Sequence, residues 1–142
     1  MTLADVNVLI SAFRPGAPQH TGARNWLNTV VRSDTRFGLS TLALAAVVRI
    51  TTTASFFPEP SSLSEAVGFC DDLLGQPNAE IIEPGPRHWS IFTRLSREAG
   101  IYGRRTTDAW YAALAIESGC EWITYDRDFA RFPGLRWRRP DT

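Results

Sequence analysis

The sequence predicts an α/β protein: a three-layer α/β/α sandwich around a mostly parallel central sheet. Three observations carry that expectation. Short apolar runs alternate with helical-period segments along the whole chain, as in units that build parallel sheets. The composition is that of an ordinary globular protein, with 44% apolar and 21% charged residues. Acidic residues stand where strand candidates end, which is where such sheets collect their ligands. At 142 residues and 15.8 kDa, one domain over residues 1–142 is expected, large enough to bury a core without disulfides.

Thr2 to Val6 opens as a buried strand, and Asn7 to Phe13 continues as a short helix. Arg14-Pro15-Gly16-Ala17-Pro18 is a loop by its Pro and Gly content. His20 to Val31 places Ala23, Trp26, Leu27, Val30 and Val31 at helical spacing, and Arg36 to Leu39 is a short strand. Thr41 to Thr53 is helical by Leu42, Ala45, Ala46 and Ile50. A loop over 56–62 leads to a helix ending at Leu74, with Ser62 and Glu65 spaced as a capping box. Gly75 to Asn78 breaks it, Glu80 to Glu83 is a strand, and Pro84-Gly85-Pro86 a turn. Arg87 to Ala99 is a helix with Trp89, Phe92 and Leu95 inward. After a loop over 100–105, Thr106 or Thr107 caps a helix that Gly119 closes. Glu121 to Tyr125 is a strand, Asp126 to Pro133 a loop or single turn, and Leu135 to Arg138 a last strand.

Several function classes lose their footing here. No apolar run approaches the roughly 20 residues of a membrane span, and the acid at position 5 sits inside the first apolar run, so neither a membrane anchor nor a signal peptide is expected. Cys70 and Cys120 are isolated in apolar stretches and read as buried thiols of a cytoplasmic protein. With only His20 and His88 beside them, a zinc site is not expected. His88 reads as a helix-surface or capping group, and Trp26, Trp89, Trp110 and Trp122 as core. Hydrolase-triad and nucleotide-loop motifs are absent from the sequence. Formal net charge is zero, which argues against non-specific coating of nucleic acid. Yet every basic residue is Arg, nine of the 15 lie from Arg94 onward, and Arg grips phosphate bidentately. A compositional preference for Arg explains the same count without a ligand.

The acids are more specific. Asp5 lies between Leu3-Ala4 and Val6, where a carboxylate is costly unless paired, capping a helix or bound to a cation. Asp108 falls in the first turn of a helix, which the helix dipole favours by itself. Asp126 and Asp128 follow the strand ending at Tyr125, where a solvated turn is the simpler reading of either alone. In a parallel sheet, however, Asp5, Asp108 and Asp126 converge on one edge. Two carboxylates 4 Å apart repel by about 4 kcal/mol at an effective dielectric of 20, so acids gathered that closely need a cation. Oxygen-only ligands point to Mg²⁺ or Mn²⁺.

Three segments then share a resemblance. Leu3-Ala4-Asp5-Val6-Asn7-Val8-Leu9-Ile10, Thr107-Asp108-Ala109-Trp110-Tyr111-Ala112-Ala113-Leu114-Ala115, and Thr124-Tyr125-Asp126-Arg127-Asp128-Phe129 with Phe132-Pro133-Gly134-Leu135 resemble, in this order, the motifs of the PIN-domain family. More narrowly they are similar to the VapC toxin branch of bacterial toxin–antitoxin systems. The resemblance implies a Mg²⁺-dependent endoribonuclease that hydrolyses RNA phosphodiester bonds, held inactive by a cognate VapB-type antitoxin and self-associating as a homodimer. It carries Asp5 and Asp108 over as metal ligands and Asp126 as the third acid. Asn7 and Thr124 would orient those acids, while the role of Asp128 stays open. Arg104 and Arg105, just ahead of Asp108, are the candidates for gripping phosphate.

One position departs from the pattern. Many relatives carry a Glu in a segment of the form S-x-L-x-L-A-E-x-x-R. Here Ser40 to Arg49 places Ala46 there, and no acid lies between Asp34 and Glu59. Two readings therefore remain: a nuclease working with fewer carboxylates, or a catalytically weakened module that acts by binding antitoxin or RNA.

Overall fold

A computed structural model describes residues 1–141, so the last residue of the expected 1–142 domain lies outside the described part. The order of elements is β1 (Thr2–Ala4), α1 (Val6–Phe13), α2 (His20–Arg32), β2 (Phe37–Leu39), α3 (Thr41–Thr51), α4 (Leu63–Leu74), β3 (Ala79–Ile81), α5 (His88–Ala99), α6 (Thr106–Ser118), β4 (Glu121–Ile123) and β5 (Trp137–Arg138). Single 3₁₀ turns at Gly103–Arg105 and Arg127–Arg131 precede α6 and follow β4.

The five strands form one sheet in the order β3-β2-β1-β4-β5, and every pair is parallel. The chain moves outward from β1 to β2 and β3, then returns across the sheet to β4. Crossovers of one hand put helices on opposite faces when the direction of travel reverses. The core divides accordingly. In register pairs Leu3↔Trp122 and Ala4↔Ile123, Leu3 and Trp122 pack with Leu95 and the buried residues of α6, whereas Ala4 and Ile123 pack with residues from α1 to α4. That alternation across the pleat makes the three layers. No helix among the described residues is long and apolar enough to cross a membrane.

The caps follow the sequence closely. Ser62 and Glu65 make the reciprocal capping box of α4, and Gly100 and Gly119 close α5 and α6 at φ +62° and +73°. Four expectations need correction. Neither Thr106 nor Thr107 caps α6. The preceding 3₁₀ turn runs straight into the helix, and the Thr106 hydroxyl instead donates to the Gly103 carbonyl at 2.7 Å. Trp89 is 70% exposed rather than inward. His88 occupies the inward position at the start of α5, buried with a ring nitrogen 2.9 Å from the Trp110 carbonyl oxygen, and Trp89, one residue on, is rotated about 100° away from it. His88 is thus a core polar residue, not a surface one. The strands are also shorter than their apolar runs: β1 and β4 stop at Ala4 and Ile123 because the chain turns at Asp5 and Thr124. Cys70 and Cys120 are buried free thiols, as expected.

Candidate active site

In an open parallel sheet the strand order reverses at a switch point, and the adjoining carboxyl ends leave a crevice. Here the reversal falls between β1 and β4. Asp5 is the next residue after β1, Thr124 the next after β4, and α6, which leads into β4, starts at the same edge with Asp108 in its first turn. The topology therefore gathers the three acids from positions 5, 108 and 126.

Asp5 caps α1. Its Oδ1 accepts from the Val6 N–H at 2.6 Å and its Oδ2 from the Thr124 hydroxyl at 2.7 Å. Its own N–H donates to the Ile123 carbonyl at 2.8 Å, which ties the end of β1 to β4. Thr124 Oγ1 also accepts from the Asp126 N–H at 3.0 Å and the Asn7 amide at 3.3 Å, and the Asn7 carbonyl accepts from the Tyr125 N–H at 3.2 Å. Thr124 thus joins the Asp5 carboxylate to the Asp126 backbone, and Asn7 braces the same turn through Thr124 and Tyr125. Asp5 is only 8% exposed. Burial pushes its carboxyl up to about 6, the Thr124 and Val6 hydrogen bonds oppose that, and the charges of Asp108 and Asp126 add to it.

Asp108 is half-buried, and its carboxyl is raised by burial and then by Asp126, against the pull of Arg131 and Arg105. Asp108, Asp126 and Asp128 line a cleft of about 260 Å³ together with Arg104 and Arg105. Asp126 Oδ1 accepts from the Asp128 N–H at 2.9 Å. Asp128 faces outward and meets two guanidiniums, Arg105 at 3.3 Å and Arg131 at 3.1 Å. Phe129 holds this turn down, packed on Trp122 and Phe132 with ring centroids 5.4 and 5.8 Å away.

Two residues near the acids are not marked as site residues by the sequence. Tyr111 lies three residues beyond Asp108 on α6 and is buried, and its phenol is pushed up to about 12 by burial and by the charge of Asp5, with Arg49 of α3 opposing. The i, i+3 spacing from Asp108 is the available signal. Arg131 is likewise three residues from Asp128. Ala46 lies on α3 and offers no ligand atom.

The sequence matches the PIN domain family over residues 2–135. This chain belongs to the PIN-domain family. Among curated PIN relatives, the Mycobacterium tuberculosis protein named Ribonuclease VapC43 is 39% identical over 140 residues, covering 99% of this chain and 95% of that one. Ribonuclease VapC25 of the same organism is 37% identical over 140 residues, covering 99% of each. A crystal structure of VapBC2 from Rickettsia felis, bound to a DNA fragment from their promoter, contains a chain that superposes with a TM-score of 0.71 at 17% identity over 97% of both chains. That likeness is one of PIN fold.

The donor set at the PIN switch point is anionic oxygen alone, which suits a hard divalent ion and not the thiolate–imidazole sites of zinc. Among the described residues, no three acidic, His or Cys side chains already form a cage. A hard divalent ion held here would take one or two of these carboxylates directly and keep waters as its remaining ligands.

Proposed function

We propose that this chain, as one PIN unit over residues 1–142, is a metal-dependent endoribonuclease and the toxin of a toxin–antitoxin pair. One observation carries the chemistry: at the switch point, Asp108 and Asp126 line a single cleft together with Arg104 and Arg105, with buried Asp5 close enough to feel both acids. The names of the curated relatives support the nuclease class. Asp5, Asp108 and Asp126 would hold Mg²⁺ or Mn²⁺. Such an ion, when bound, supplies an oriented water of lowered pKa and neutralises charge on a phosphoryl oxygen. The chain's own side chains do the rest. Thr124 and Asn7 fix the direction of Asp5, Asp126 faces the same cleft, and Arg104 and Arg105 grip the RNA backbone.

RNA cleavage by the purified chain is expected to require Mg²⁺ or Mn²⁺ and to fall by about 100-fold or more in Asp5→Asn and in Asp108→Asn. Cleavage that persists in both variants belongs to a contaminant and ends this assignment. Ala46 favours a second reading, a weakened module that works by binding antitoxin or RNA. Ala46→Glu separates the two: a gain of about tenfold or more over the wild type supports the weakened module, and equal rates dismiss it.

A VapB-type antitoxin is the proposed protein partner, supported by neighbours solved as toxin–antitoxin complexes. An apolar groove of about 660 Å³ suits an antitoxin segment. It is lined by Ile10, Pro18, Ile50, Phe56 and Phe57, with Asn7 at the acid site and Arg14 also in its wall. Co-purification with a small co-expressed protein tests the partner, and light scattering tests the proposed homodimer. A lone monomer that captures nothing counts against both.

A further inference from the structure

Beside the acid-lined cleft lies a second cavity of about 320 Å³, walled by residues 99–105 and Arg131. Arg104 and Arg105 belong to both walls, so the two cavities adjoin. Tyr102 lines the second one and is 84% exposed. Gly100 and Gly103 flank it at φ +62° and +64°, a left-handed geometry that other residues rarely adopt, so the backbone turns on both sides of an extended tyrosine. Among the described residues none gives the Tyr102 ring a stacking or hydrogen-bond partner, and none gives Arg104 a carboxylate. Arg105 and Arg131 share the single carboxylate of Asp128. The cavity is therefore net positive, with a free aromatic face at its rim.

We infer that Tyr102, with Arg131 and the shared Arg104 and Arg105, forms a subsite for one unpaired nucleotide of the RNA strand next to the phosphate held in the acid cleft. This rests on the nuclease reading above and adds a residue that selects single-stranded RNA. An unpaired base has an open π-face that stacks on an aromatic ring, and its phosphate is matched by planar guanidiniums. A paired base has no open face, because both its faces are already stacked, so only its phosphate remains to bind. Asp128 acts here as a positioning residue: by holding Arg105 and Arg131 together it keeps both guanidiniums at the boundary between the cavities.

The test is a binding measurement on the full chain in EDTA, so that no turnover intervenes. The probe is an end-labelled single-stranded oligoribonucleotide of about eight nucleotides, the span of a small single-strand site, carrying one 2-aminopurine moved along a series. Wild type is expected to bind it and to quench 2-aminopurine at one position. Tyr102→Ala is expected to bind about tenfold more weakly and lose the quench, while Tyr102→Phe keeps both. Arg131→Gln is expected to make the salt dependence shallower by about 0.7 in log–log slope. A blunt RNA duplex is expected to bind Tyr102→Ala and wild type alike. Tyr102 is exposed, so its variants should melt like the wild type, and a melt confirms that they are folded. If Tyr102→Ala binds and quenches like the wild type, the subsite is overturned and the nuclease reading stands. Sensitivity to Arg131→Gln alone also overturns the subsite, since it marks a purely ionic surface. If the wild type binds no single strand in EDTA, the subsite falls, and metal-dependent cleavage decides the nuclease reading separately.

Discussion

Asp5 serves two ends that pull against each other. It caps α1 through Val6, and it holds a carboxylate in a nearly closed setting where two further acids repel it. Its carboxyl ionises near 6 in the native protein against an ordinary 3.8. Between those values the folded chain keeps a proton that the unfolded chain has released, so stability declines as pH rises from about 4 to 6. The full cost above that window is about 3 kcal/mol for Asp5. In metal-free buffer the urea midpoint is therefore expected to be higher at about pH 5 than at about pH 7, and Asp5→Asn should flatten that slope. A midpoint that rises across the window would show that the carboxylate is better compensated than these contacts allow. The isolation of Asp5 among apolar residues was legible in the sequence. Its Thr124 partner is 119 residues away, so only the motif resemblance, and not local pattern, joined the two.

At the scale of elements, local rules carried far. Ser62 and Glu65 announced a capping box, Gly119 a helix end, and the apolar runs at Leu3 and Trp122 two central strands. What misled was phase and competition. In α5 the larger aromatic Trp89 is the natural candidate for the inward place, but helix phase gives that place to His88, which the Trp110 carbonyl makes tolerable by a hydrogen bond. At α6, Thr106 looks like a cap, but a 3₁₀ turn already supplies the entry. Gly38 in β2 illustrates a constraint that no pattern reveals. A Cβ there would stand 2.7 Å from Ile82 Cγ1, 3.3 Å from Leu3 Cδ1 and 3.2 Å from the Thr2 carbonyl. Two neighbours are side chains of the packed core and one is backbone, so the clash has little room to relax. Gly38→Ala is expected to destabilise by about 1–3 kcal/mol, outweighing the gain of less than about 1 kcal/mol from a stiffer unfolded chain. A denaturant titration checks this, and an unchanged midpoint would mean that β2 can shift away from Ile82 and Leu3.

For the whole molecule, the candidate site is the place where the two halves of the sheet join. Asp5 belongs to the first segment of the chain, Asp108 lies on α6 at the end of the crossover that returns to β4, and Asp126 follows β4. That is why strand-end acids could be gathered from the sequence once a parallel sheet was expected, whereas Tyr111 and Arg131 had only their three-residue spacing from Asp108 and Asp128 to mark them. It also sets what metal should do. A ligand that binds only the native state stabilises it by about 2.7 kcal/mol at 100 times its Kd. Because the acids lie at the end of β1, on α6 and in the turn after β4, that gain opposes separation of the sheet at its centre and is not confined to one loop. Mg²⁺ or Mn²⁺ at that excess is expected to raise the melting temperature by about 5–10 °C in a chain of this size, reversibly with EDTA. The shift should be lost in Asp108→Asn, whose melting without metal should be at least that of the wild type, since one repelling charge is gone from a half-buried site. The sign of the pH effect follows from Asp5. Its proton must leave for the carboxylate to help hold the ion, so the metal-induced shift should grow from about pH 5 to pH 7 and level off above. A shift of equal size in Asp108→Asn would place the ion elsewhere and remove the basis for assigning these acids to it.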